Sequence, residues 1–552
     1  MPVNPTYPGV YIQELPSAVR TITGVPTSVA AFVGPATRGP AEKAVHITSF
    51  AEFERIFGGL DRDHRMGHAV YHFYTNGGSE AEIVRVVGMV ADPTPPPEEP
   101  NAKVKSYPAT ISLKDKVRKP GDTQDPPSPK EVAKLKARGP GSWGLQLKVR
   151  VDLDTRETFD LPVPGPGVPP PPPPTLYNLT IRDEGTGQEE RFLNISIDDR
   201  NPRSLKNVLA GSTLVEYDTP ADPGLIPAAH PDVSGEEEPD VWKNPLGHAV
   251  ATGGDYAPPA TGDYLGNQEA KSGIHALRDA DIFNILCAPD FQERTKLDDI
   301  ARFCVEMRAM FIPDIPMASI GDAKDLSQRF PISRANRKNA ALYFPEVKIA
   351  DPTQDYAVVD TFNSGVMAGL WARTDVERGV WKAPAGTDAS LGGVVAPSVQ
   401  MNDLENGVLN PRAVNCLRQL PVYGNLSWGA RTMAGADVAN DQWKYLPVRR
   451  LALFIEESLF RGTKWVVFEP NDEPLWASIR LNVGAFMNNL FQQGAFQGTN
   501  PDEAYLVKCD RDNNPQNQID LGIVNVLVGF APLKPAEFVV ISIQQLAGQI
   551  QV

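Results

Sequence analysis

His64, His68 and His72 stand four residues apart, and on a helix that spacing puts the three side chains on one face. Histidine pairs at i, i+4 can ligate zinc. No glutamate sits beside His64 or His68 in the HExxH sense, so the trio reads as partly exposed histidines on a packed helix. A second group, Asp375, Arg378 and Lys382, has the residue types of an active site. Around Trp381 it reads instead as a salt-linked loop anchored by the indole. No GxSxG elbow and no serine, histidine and aspartate in triad contexts occur. A Walker loop and a GxGxxG fingerprint are also missing. The expectation is a chain with no catalytic residues, no metal and no cofactor.

Other chemistries are bounded by composition. The chain has 552 residues, 41% of them hydrophobic, which predicts several domains with sizeable cores. Its net charge of −15 and the lack of a basic patch argue against nucleic acid as the main partner. The 4 cysteines, Cys287, Cys304, Cys416 and Cys509, are far apart and form no CxxC pair. That pattern predicts reduced thiols and synthesis in the cytosol. The start, Met-Pro-Val-Asn-Pro, does not read as a signal peptide. No apolar run reaches the roughly 18 residues needed to span a bilayer.

The elements that would position these residues follow from pattern. Strands are expected at 29–34 and 82–87, with helices starting after Ser49 and spanning 65–75 between them. Residues 280–287, 309–312 and 340–345 read as strands around a helix at 293–310, an α/β layer with partly parallel strands. Gly365, Ala368 and Gly369 would let the helix over 363–375 pack closely. From Asp92 to Thr261 the composition shifts, with 29 of the 53 prolines, including Pro169–Pro174. Islands at 145–153, 176–182 and 191–197 predict a small β-rich domain with extended loops.

The last hundred residues are the most patterned. A helical stripe runs through 449–460, a buried strand is expected at 464–469, and Asn471 or Asp472 should cap a helix reaching Gln493. Strand-like runs follow near 503–509, 518–530 and 537–546. In the last, Val539, Ile541 and Ile543 alternate with Phe538, Val540 and Ser542, so both faces are largely apolar and the strand should be buried on both sides. Pro532 and Pro535 keep its approach extended. Such a run is either a strand of its own domain or an arm added to another sheet.

Several phrases carry a resemblance. "YPGVYIQE" at 7–14, "AAFVGPATRGP", "FERIFGG", "RGVWKAPAG", "WGARTMA" and the order of phrases over 447–552 resemble contractile tail sheath proteins. The likeness covers about 1–90 and 270–552. It implies an α/β and α+β multidomain fold: a sheath-type α/β core, a β-rich insertion, and a C-terminal α+β domain completed by exchanged arms. The implied parts are an arm at 1–25, an α/β domain split into 26–91 and 263–435, and an outward insertion at 92–262. A C-terminal domain at 436–536 and a β arm at 537–552 complete them.

The resemblance further implies a homo-oligomer of stacked hexamers around an inner tube, with baseplate and terminator or cap proteins as further partners. Neither direct nucleic-acid contact nor membrane insertion is expected. Assembly in the cytoplasm, into a phage tail or an injection particle, follows. Tyr7, Val10 and Ile12 would belong to one arm, and Phe538, Val540, Ile541 and Ile543 to the other. Arg449, Arg450, Arg461, Lys464 and Arg480 are the candidates to face the tube. The rival readings are an α/β hydrolase-like enzyme and a surface-layer or adhesion protein.

Overall fold

A computed structural model describes residues 20–92, 102–115, 129–156, 175–196, 200–220 and 226–541. Tyr7, Val10, Ile12, Ile543 and the proline run at 169–174 lie outside the described residues.

The α/β body is built on one sheet. Its strands are β1 (Ala30–Gly34), β2 (Ala44–Ile47), β3 (Ala81–Arg85), β4 (Ile285–Cys287) and β5 (Met310–Ile312), in the order β5-β4-β1-β3-β2. β1 runs parallel to β3 and β4, and β4 parallel to β5; β2 is antiparallel to β3. Every residue of β1, β3, β4 and β5 is buried, as expected of strands covered on both faces.

Between β1 and β3 lie α1 (Phe50–Phe57) and α2 (Arg65–Thr75). Ser49 caps α1 by accepting from the Glu52 amide, and Gly58 ends it in the left-handed region. α2 crosses α3 (Ser364–Arg378) at very close range. A Cβ on Gly365 would lie 2.2 Å from the Ala69 carbonyl oxygen, and one on Gly369 2.5 Å from that of Phe73. The small residues of α3 are therefore a packing requirement. Its Trp371 is fully buried and donates to the Tyr343 hydroxyl at 3.0 Å.

Between β3 and β4 the chain forms a small pair, Met89–Ala91 with Lys103–Lys105, and two larger sheets, antiparallel throughout. One has the order Glu189–Ile195, Tyr177–Asp183, Leu147–Asp152, Ala249–Val250; the other Val215–Pro220, Glu131–Ala137, Thr110–Lys114. They share a core that includes Ile111, Leu135, Val149 and Leu179. Three of these strands fall on the expected islands; those at 110–114, 131–137, 215–220 and 249–250 were not foreseen. Buried Arg85 ties the unit to the α/β body, donating to the carbonyls of Ala36, Gly39 and Pro140 at 2.7–2.8 Å. Arg38 and Asp183 add a buried ion pair at 3.2 Å.

The C-terminal region consists of α4 (Leu446–Gly462), α5 (Glu473–Gln492) and an antiparallel pair, β6 (Tyr505–Lys508) and β7 (Leu527–Phe530). Asp472 caps α5 by accepting from the Leu475 amide, with Glu473 and Pro474 in the first turn. The strand expected at 464–469 does not form. Lys464–Val466 is a 3-10 turn, and Val467 and Phe468 stand in solvent. Two tight direction changes between α4 and α5 leave no room for a strand. Residues 518–526 likewise hold a short helix, Gln516–Asp520, and a loop.

The histidine trio also needs correction. α2 begins at Arg65, so His64 is its N-cap, and His68 and His72 are buried rather than partly exposed. Burial pushes the His72 imidazole down to about 4, so it is neutral at neutral pH. No group of three or more histidine, cysteine, aspartate or glutamate side chains among the described residues could hold a metal ion. All four cysteines are buried and unpaired. No helix among the described residues is long and apolar enough to cross a membrane.

Candidate functional site

The basic residues of the C-terminal helices divide by depth. The first turns of α4 are buried nearly all round, and Arg449 and Arg450 with them. Arg450 donates bidentately to Asp375 at 2.8 and 2.6 Å and to the Thr27 carbonyl at 3.0 Å, with its guanidinium over Trp371. Burial raises the Asp375 carboxyl above its ordinary range in spite of that partner. Arg449 bonds Asn339 at 3.1 Å and Glu456 at 3.2 Å, and stacks over Trp443. Both residues are internal cross-links, which removes them as tube-facing candidates. The same bonds place Asp375 in a structural pair rather than in a cluster with Arg378 and Lys382.

The other three lie further out. Arg461 pairs with Glu457 at 2.7 Å and with Asp281 at 3.0 Å. Arg480 pairs with Glu473 at 2.7 Å and donates to the Cys509 carbonyl. Lys464 is exposed, its ammonium over the Phe460 ring.

The second part of the site is the chain's exit. β6 and β7 form a two-stranded sheet with no third strand among the described residues. Its inner face, Tyr505, Val507, Val528 and Phe530, packs on the α5 core; Leu506 and Leu527 on the outer face are exposed. A lone hairpin is a marginal structure unless packed or extended. After β7, Pro532 and Pro535 keep the chain extended to Glu537. There Arg431 holds it: Nε donates to Oε1 at 2.7 Å and Nη2 to Oε2 at 2.5 Å, and the Tyr445 hydroxyl reaches Oε2 at 3.4 Å. Arg431 is fully buried and also binds Asp437 and the Asn410 carbonyl, both at 2.9 Å.

Directly beyond this clamp the chain is bare. Phe538, Val539, Val540 and Ile541 are 73%, 82%, 87% and 79% exposed and belong to no strand. Burying such side chains would stabilise by roughly 1.5–3 kcal/mol each, against about 1–2 kcal/mol per residue of ordering entropy. A run of four is therefore a sticky segment fixed at its root. Sequence reasoning named the segment but missed its anchor. Arg431 sits in a loop, where no periodicity marks it; its place in "WGARTMA" was the available signal.

Residues 438–545 match the family described as phage tail sheath C-terminal domain. The tail sheath protein of Vibrio phage KVP40 is 24% identical over 221 residues, 35% of this chain and 32% of that protein. The chain thus spans about a third of that relative's length. The contracted sheath of an extracellular contractile injection system, PVC, superposes with a TM-score of 0.54 at 20% identity, covering 99% of each chain. Residues 438–545 thus resemble a tail sheath C-terminal domain, and the chain as a whole shares the fold of a contractile sheath protein. A chain of the six-fold symmetrised baseplate of the anti-feeding prophage matches this one at a TM-score of 0.53 and 18% identity, over 98% of this chain and 99% of that one.

Proposed function

We propose that this chain is the structural subunit of a contractile sheath. It polymerises as stacked hexameric rings around an inner tube and shortens without nucleotide hydrolysis, driving the tube through a target envelope. The observation that carries the reading is the segment Phe538–Ile541, anchored at Glu537 and exposed beyond it. In the assembly it adds as a strand to the two-stranded sheet of a neighbouring copy, and an N-terminal arm containing Tyr7, Val10 and Ile12 adds beside it. Each subunit then gives two arms and receives two. The six-fold symmetry of the related baseplate supports hexameric rings.

Tube, baseplate and terminator proteins are the further partners. Lys464, Arg461 and Arg480 are the remaining basic candidates for the tube. The sheets between β3 and β4 face outward, away from it. The particle assembles in the cytoplasm and acts as a phage tail or injection machine.

Electron microscopy of particles from full-length and truncated chains tests this. The full chain should give striated cylinders, and removal of residues 538–552 should leave folded monomers. Normal cylinders from the truncated chain would refute arm exchange.

A further inference from the structure

The geometry points to a contact outside the arms: the turn around Phe468 is a knob that seats in the cavity beside Glu537 of a second copy of this chain. This inference rests on the assembly reading above and names an interface which that reading does not contain.

The knob is rigid, strained and bare. Phe468 is 103% exposed with φ +71°, and Val467 beside it is 63% exposed. A bulky side chain in the left-handed region is disfavoured, by about 1–2 kcal/mol. The turn is nevertheless pinned on both sides. The Glu469 amide donates to the Val466 carbonyl at 3.2 Å. Asn471 donates to the Ile523 carbonyl at 3.0 Å and accepts from the Trp476 indole at 2.9 Å. The Asn471 bond brings exposed Leu521 and Ile523 against the same turn. The result is an apolar tip with Glu469 and Asp520 exposed at its rim. A held, strained aromatic in water is an arrangement that a partner surface would explain.

The cavity has the opposite character. It encloses about 960 Å³ between the α/β body and the C-terminal exit, with Trp381, Trp428, Pro411 and Pro535 among its walls. Arg378, Lys382 and Lys534 also line it. Its two carboxylates are already engaged, Glu537 by Arg431 and Asp403 by Arg418. Lys382 and Lys534 have no carboxylate partner among the described residues. An apolar floor with unspent positive charge matches an apolar tip rimmed by carboxylates.

Distance decides that the match is between copies. The knob precedes the first turn of α5, and Gly494, at the cavity wall, follows the last. A helix of 20 residues is about 30 Å long. One chain's knob therefore lies at the far end of α5 from its own cavity. A knob and a socket on opposite ends of one element pair head to tail, and such contacts propagate into rings or helical stacks.

Cross-linking of the full chain tests the contact. Phe468→Cys is combined with Gly407→Cys, since Gly407 lines the cavity and a Cβ there meets open space. The four native cysteines are buried, so a short bis-maleimide reports on the introduced pair. Assembled particles should give a ladder of dimers, trimers and longer species on a denaturing gel, which neither single variant gives. Particles without a ladder, or with Phe468→Cys captured by a different protein, overturn the contact and leave the sheath reading intact. If the unsubstituted chain stays monomeric, both readings fall. Independently, Glu469→Lys should raise the concentration needed for assembly about tenfold with the thermal midpoint unchanged, and Lys534→Glu in the same chain should restore it. Undiminished assembly of Glu469→Lys would also overturn the proposal.

Discussion

Two arginine–aspartate pairs join the C-terminal helices to the α/β body, and they are opposite in kind. Arg450 and Asp375 are each 3% exposed and meet at 2.6 Å. Arg461 and Asp281 are 31% and 86% exposed and meet at 3.0 Å. The ions are the same; the solvent around them is not. At the buried pair, each charge has lost its water and depends on the other, so removing one strands the second. At the outer pair, water replaces either partner at once and salt screens the attraction. The same contact chemistry therefore fixes the junction at one point and only decorates it at the other.

The largest effect should come from Asp375→Ala. It leaves a buried guanidinium with only the Thr27 carbonyl and the Trp371 ring. The expected loss is about 3–5 kcal/mol, read from chemical denaturation of the full chain. Replacing the pair together, Asp375→Leu with Arg450→Met, should recover much of that loss, because no stranded charge remains. If the single variant lost less than about 1 kcal/mol, the distinction between the two pairs would collapse.

Asp314 sharpens the comparison as a buried carboxylate with no cation in ion-pair range among the described residues. It accepts from the Ser364 amide at 3.2 Å and pairs with the Ser364 hydroxyl at the start of α3. Burial pushes its carboxyl up to about 7 from 3.8. The folded chain thus keeps a proton that the unfolded chain releases. Linkage makes its contribution to stability fall as pH rises from about 4 to about 7 and level off above. Asp314→Asn should remove that slope. Unfolding midpoints at pH 5 and pH 8 should show the variant gaining at pH 8 relative to the parent, on the order of 2–4 kcal/mol. A gap between variant and parent that does not change with pH would show that Asp314 is already ionised.

Glu537 lies between the two extremes. Its partner Arg431 is buried but keeps Asp437 and two carbonyls when Glu537 is removed. Glu537→Ala should cost about 2 kcal/mol. Its sharper signature is local: amide exchange over 533–541 should speed up while the core of the α/β sheet is unchanged. Uniform acceleration would mean that the clamp supports the whole fold rather than the root of the arm.

How far this was legible from sequence follows the same line between local and distant partners. Ser49 and Asp472 cap the helices expected to follow them, because a cap acts within three residues. β1, β3, β4 and β5 were visible as short apolar runs, and the glycines of α3 as a close crossing. The roles of Arg449 and Arg450 were not visible. Their partners Asn339 and Asp375 lie 110 and 75 positions away, and an arginine on a patterned helix reads as a solvent face until those partners are known. The stretch 464–469 failed differently. Val466, Val467 and Phe468 have strand propensity, but the connection from α4 to the Asp472 cap required a tight turn, and geometry overrode preference. The apolar alternation of 538–541 was visible because it is local, but the strand buried on both sides expected there is, over the described residues, an exposed segment in no strand. Its clamp was missed because Arg431 is 106 residues from Glu537.

The smallest effect should be at Asp281. Its side chain is almost wholly in water, and Arg461 keeps Glu457 at 2.7 Å when Asp281 is replaced. Arg308 holds the same Glu457 at 2.9 Å, so the network closes without Asp281. Asp281→Ala should therefore shift stability by less than about 1 kcal/mol, and raising the salt concentration should erase even that. A larger, salt-resistant loss would mean that the outer pair is dehydrated in the working protein. That is the expected result if a neighbouring copy covers this edge of the junction, so the measurement should be repeated on assembled particles. An effect confined to the assembly would move Arg461 from an ornament of the monomer to a part of the interface between copies.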